Sequence, residues 1–205
     1  MSAPTPHTHT RFPYLTTAAL FLTAAATATR LRTDDVLHAL RRDPDALGAG
    51  QVWRLITPVL VQSDRSAAVV LATFVFCAAI GVLGERVLPR ALWVTLYVTG
   101  ALIGHGIGEV IQPREGGTSV AFAAILGGLA ATVLRRDVSV PTPIRVEAAL
   151  LVPLAVLDTV LGDIHGLPFL AGTMVTLVWC RIPAGRISRR CEPEAGRGRS
   201  GCTRP

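Results

Sequence analysis

Lysine is absent from this 205-residue chain, whose 20 basic residues are all arginine. That bias is the codon signature of a GC-rich genome and carries no mechanism. Charge of either sign is scarce, at 17% of residues against 50% hydrophobic ones, and the mean hydropathy is +0.47. A soluble domain needs a charged surface, so this balance argues against one and for a polytopic membrane protein. The four cysteines form no CxxC, no His-Cys cluster and no disulfide-like spacing. Cys77 lies inside an apolar run, Cys180 ends another, and Cys191 and Cys202 sit in an arginine-rich tail, which reads as incidental thiols. No H-E-x-x-H occurs either. His105 and Glu109 stand four apart, as ligands can, but the other histidines are at positions 7, 9, 38 and 165. Neither a metal nor a cofactor is expected.

What the chain does have is six apolar segments. The first, Phe12 to Thr29, is just long enough to cross a hydrocarbon core of ~30 Å at ~1.5 Å per residue. Ala26-Thr27-Ala28 resembles a signal-peptide cleavage site, but only Arg11 leads the segment and five more runs follow, which favours a retained helix. The second runs from about Ser66 to Gly84, the third from Ala91 to Ile111, the fourth from Thr118 to Leu134 and the sixth from Ile164 to Cys180. The fifth, from Glu147 or Ala148 to Leu161, is short and is interrupted by Pro153 and Asp158, so a re-entrant segment competes with a full span. Between the first two, Arg30 to Arg54 is a polar connection of balanced charge. Val36, Leu37, Leu40 and Leu47 recur in it at helical spacing, as in a short amphipathic helix resting at an interface.

With six spans and a cytoplasmic N-terminus, 13 arginines fall inside and seven outside. This positive-inside bias places both termini in the cytoplasm, and it explains the net charge of +6 without nucleic acid, because the arginines flank apolar segments instead of forming one patch. The expected layout is a cytoplasmic tail at 1–11, one membrane domain at 12–180, and a disordered basic tail at 181–205 able to touch anionic lipid headgroups. The same count puts Ser119 and His165 on one side, at the outer ends of the fourth and sixth spans. A serine needs a base to take its hydroxyl proton, and neutral imidazole does so near neutral pH. Asp163 stands only two residues before His165. Residues two apart on a helix face different ways, so, unless the helix begins after Asp163, that residue is expected to cap the sixth span and not to pair with the imidazole.

Several segments together resemble the rhomboid intramembrane serine proteases. Gly50-Gln51-Val52-Trp53-Arg54-Leu55-Ile56-Thr57-Pro58 is similar to the family's G-x-W-R-L-x-T segment, and Gly81 to Arg86 to its G-x-x-x-E turn. Gly117-Thr118-Ser119 matches the G-x-S motif, and His165 with Phe169-Leu170-Ala171-Gly172 matches the sixth-helix histidine and the glycine seven residues on. The resemblance covers roughly Gly50 to Leu177. It implies an all-α, six-helix membrane bundle, of a divergent bacterial type in the plasma membrane, in which Ser119 is nucleophile, His165 is base, and transmembrane proteins are the substrates, cleaved near the outer face. Trp53, Arg54 and Glu85 are expected to anchor the first loop and the turn after the second helix. Val120, Pro168 and Ala123 depart from the family pattern, in which glycine, glycine and an aromatic are usual. The H-x-x-x-N pair that serves the oxyanion is missing from Ser66 to Thr73. Gln62, Ser63, Thr73 or His105 are the candidates to replace it, Glu109 near the outer end of the third span is expected to snorkel to water, and a silent, helix-binding relative is the alternative to an enzyme.

Overall fold

The computed structural model describes residues 12–29, 33–64 and 66–181; the expected tails up to Arg11 and beyond Arg181 lie outside them. Among the described residues there are helices and no strand. They are α1 (Tyr14–Thr29), α2 (Asp35–Leu40), α3 (Pro44–Gly48), α4 (Ala67–Val87), α5 (Arg90–Ile111), α6 (Ser119–Leu134), α7 (Thr142–Val160) and α8 (Gly166–Trp179), with two 3-10 turns at Val52–Leu55 and Thr57–Leu60. Six of the helices exceed ten residues. Only α4 and α5 are both long and apolar enough to cross a membrane by themselves; α1, α6 and α8 are apolar but shorter. The fifth segment proves longer than its sequence indicates, with 19 residues in α7. Pro143 starts this helix, where a missing N–H costs nothing, so Arg145 and Glu147 belong to its first turns and not to a loop.

The bundle is built around α6, which packs against α4, α5, α7 and α8. Its sequence explains this position, for Ala, Gly, Ile, Leu and Val clothe it on every side and 12 of its 16 residues are buried. The closest approach is to α8. A Cβ on Gly127 would overlap the Phe169 carbonyl, and one on Gly172 would overlap the Ala124 carbonyl, so the two glycines let backbone lie on backbone. On the other side Phe122 meets Tyr97 edge-on at 5.6 Å, while Trp93 stacks on Tyr97 at 5.3 Å. Val120, where the family usually has glycine, fits because α5 supplies the space: a Cβ on Gly104 would stand 2.6 Å from the Val120 Cβ. Pro168 is tolerated because it lies in the first turn of α8.

Helix α1 is held from its own N-terminus. Its first N–H groups have no carbonyl a turn earlier, and Glu85 of α4 accepts from the Leu15 and Thr16 amides at 3.3 and 2.6 Å and from Thr16 Oγ1 at 2.6 Å. Gly81, one turn before, leaves room for Thr16. The G-x-x-x-E pattern is therefore a docking site for α1. Glu85→Ala is expected to lower stability by about 2–4 kcal/mol, since buried donors lose a charged acceptor; a thermal melt in detergent, with Glu85→Gln as the milder variant, measures it. Arg54 anchors as expected, donating to the His38 and Arg41 carbonyls at 3.0 and 2.8 Å. Trp53 beside it is 53% exposed, so its ring contributes less to holding the loop against the bundle than the Arg54 guanidinium does. The connection from α1 folds as two short helices, α2 and α3, with Asp43 capping the second by accepting from the Ala46 amide.

Candidate active site

Ser119 opens α6 and His165 immediately precedes α8, so the tight α6–α8 packing brings the two side chains together. Ser119 Oγ lies 2.8 Å from His165 Nε2. As the first residue of α6, Ser119 also has an N–H with no intrahelical acceptor, at the positive end of the helix dipole. Both groups line a cavity of about 700 Å³ that is bounded by Thr73 and Phe76 of α4, Ala123 of α6, and Leu154 and Asp158 of α7. Its walls are mostly apolar, and its polar lining comprises Asp64, Thr73, Asp158 and Asp163 with Ser119 and His165.

Asp163 departs from its sequence reading. Its Oδ1 accepts both from the His165 amide at 2.7 Å and from His165 Nδ1 at 2.8 Å. The helix rule does not apply, because α8 begins only at Gly166 and residues 163 and 165 lie in the turn before it. With the imidazole proton on Nδ1, Nε2 is left to accept from the serine hydroxyl. Burial resists ionisation of Asp163, but the bonds from the His165 amide and ring outweigh it and hold the carboxyl below its ordinary range. A depressed carboxylate stabilises the fold above its unfolded pKa, and that contribution is lost as pH falls through the folded value.

The oxyanion candidates separate clearly. Ser63 is already engaged, with its hydroxyl donating to the Gly116 carbonyl at 2.9 Å. His105 is 0% exposed, and its Nδ1 is taken up by Arg42, whose Nη1 lies 3.0 Å away. Glu109 does not snorkel, since it is buried at 7% exposure near the same guanidinium. Arg42 also donates to the Gln112 carbonyl at 3.0 Å, and its guanidinium occupies the space a Cβ on Gly108 would need. Sequence reasoning missed Arg42 by treating it as one of several loop arginines. The signal was there in Gly108, placed between His105 and Glu109.

Thr73 and Gln62 both line a smaller cavity of about 170 Å³ with Gly117, Ser119 and His165. Gln62 is 2% exposed. The point where a Gly117 Cβ would stand is 3.1 Å from Gln62 Oε1 and 3.6 Å from Ser119 Oγ. The backbone here is zipped to the serine loop: the Ser63 amide donates to the Gly116 carbonyl at 3.2 Å, the Gly117 amide to the Pro58 carbonyl at 3.0 Å, and the Gln62 amide to Thr27 Oγ1 at 3.1 Å. Asparagine, half of the family's usual pair, occurs nowhere in the chain. Among the described residues no three His, Cys, Asp or Glu side chains gather as a metal site would need.

The rhomboid-domain family model matches residues 49–180, from the turn before the first 3-10 segment to the end of α8. No curated protein matches the chain.

Proposed function

Because the chain belongs to the rhomboid family and is thus an integral membrane protein, we propose that it is an intramembrane serine endopeptidase using Ser119 and His165. The observation that carries this reading is the 2.8 Å contact between Ser119 Oγ and His165 Nε2 at the end of an apolar cavity. In this reading all six helices longer than ten residues span, both termini are cytoplasmic and the site faces outward. The substrate is a transmembrane segment whose outer end enters between α4 and α7, the helices that flank the cavity.

Ser119 Oγ attacks the scissile carbonyl carbon while its proton passes to His165 Nε2. The tetrahedral intermediate collapses, and the departing amine takes that proton from the imidazole. Water then attacks the acyl ester with His165 again as base, which releases the second product and restores Ser119. The developing oxyanion is held by the Ser119 N–H and, in place of the missing H-x-x-x-N pair, by the Nε2–H of Gln62, whose amide turns over so that Nε2 takes the position Oε1 holds beside Gly117. Gln62→Ala is expected to slow the reaction by about 10²–10³, the usual loss for one such donor. A Gln62→Ala protein reacting at the wild-type rate would move the donor role elsewhere, with Thr73 next in line.

The test is labelling of the detergent-purified protein with a fluorophosphonate, together with cleavage of transmembrane substrates in liposomes. Labelling of the wild type that disappears in Ser119→Ala and in His165→Ala supports the reading. A well-folded wild type that neither labels nor cleaves leaves the second reading, a silent relative that binds membrane helices, which the absent H-x-x-x-N pair favours.

A further inference from the structure

The turn between α7 and α8 does more than connect them. At the end of α7 the Gly162 amide donates to the Thr159 carbonyl at 3.2 Å and the Asp163 amide to the Asp158 carbonyl at 2.9 Å. This is the paired bonding of a Schellman motif, with Gly162 at φ +80 in the left-handed position that the motif requires. The motif fixes the backbone of Asp163 to α7. Three residues later α8 begins, and its first residue is clamped as well, since a Cβ on Gly166 would overlap the Ala155 carbonyl. Asp163 and His165 are therefore set by two packed helices, and the carboxylate meets the ring with little freedom to leave it.

We propose that Asp163 is a positioning residue for His165, which makes the site a Ser119–His165–Asp163 triad and not a dyad. The inference rests on the proposed hydrolase reading for its catalytic meaning, and on the 2.8 Å contacts at both imidazole nitrogens for its geometry. The carboxylate keeps the proton on Nδ1, turns Nε2 toward the serine and offsets the positive charge the ring acquires when it takes the serine proton. Because one oxygen, Oδ1, accepts from both the His165 amide and the ring, asparagine can reproduce both contacts without the charge. That separates a structural cap from a triad member.

Three quantities are compared between the full-length wild type and Asp163→Asn: the fluorophosphonate labelling rate, the thermal midpoint and the ¹⁵N resonances of the ring, assigned by their loss in His165→Gln. A positioning role predicts a midpoint lowered only slightly, by loss of the carboxylate charge, and labelling slowed by roughly 10- to 100-fold. The loss stays below the ~10⁴ known for a buried orienting aspartate because 45% of the Asp163 side chain is open to solvent. Wild-type labelling by Asp163→Asn would overturn the proposal and leave Asp163 as a cap. If the wild type itself fails to label, the hydrolase reading fails, and the ring resonances decide the positioning separately. An Nδ1–H tautomer in the wild type that is lost in Asp163→Ala supports it, and a tautomer indifferent to Asp163→Ala overturns it.

Discussion

Ser119→Ala is expected to reduce cleavage of a transmembrane substrate by about 10⁴-fold or more, and His165→Ala to do nearly the same. In the proposed mechanism nucleophile and base act as one unit: without the imidazole the hydroxyl keeps its proton, and without the hydroxyl the imidazole has nothing to activate. The double variant should consequently be no worse than either single one. Rates in liposomes check this, with circular dichroism to establish that each variant folds. Losses that multiply in the double variant would mean that the two residues work separately, and wild-type cleavage by Ser119→Ala would place the chemistry at another group. Neither side chain is part of the apolar core, so thermal midpoints should stay within about 1 kcal/mol of the wild type.

The second large effect is remote from the reacting atoms. Gly127→Val is expected to abolish activity and to cost about 3 kcal/mol of stability, the upper part of the usual range for overpacking. The value is high because the obstacle is the Phe169 carbonyl, part of a backbone that has no alternative rotamer. The helices must part to admit the side chain. Gly127→Ala is the informative companion, for a separation of only ~1 Å at a 2.8 Å serine–histidine contact costs about 10² in rate while the helices persist. Labelling rate and thermal midpoint, measured together, should fall in that order. A Gly127→Val protein that stays folded and active would show that α6 and α8 do not need this approach.

Much of this was readable in the chain because its signals are local or periodic. Apolar runs gave the helices, and the helix boundaries agree within a few residues except at α7, which starts at Thr142 although the apolar run begins only at Glu147 or Ala148. The positions of Ser119 and His165 followed from motif order. Asp163 was misread because a rule about helical faces was applied to residues that precede the helix, and the first turn of a helix is the least certain part of any sequence reading. Glu109 was misread for a different reason: its location near a helix end suggested an exit to water, whereas Arg42, 67 residues earlier, supplies a buried counter-charge. Contacts so distant in sequence leave only indirect traces, such as the missing side chain at Gly108.

The short turn at Gly162 also limits how α7 can move. Its end is tied by hydrogen bonds to Asp163, whose carboxylate is tied in turn to His165 at the head of α8, so the connection contains no slack. Any sideways swing of the lower or upper half of α7 must pivot about this hinge-free end or break one of its bonds. Bending elsewhere is easier, since Pro153 already interrupts the hydrogen-bond ladder near the middle of the helix. The wall of the cavity is thus compliant at its centre and stiff beside the imidazole, which lets a guest be admitted without disturbing the alignment of the base.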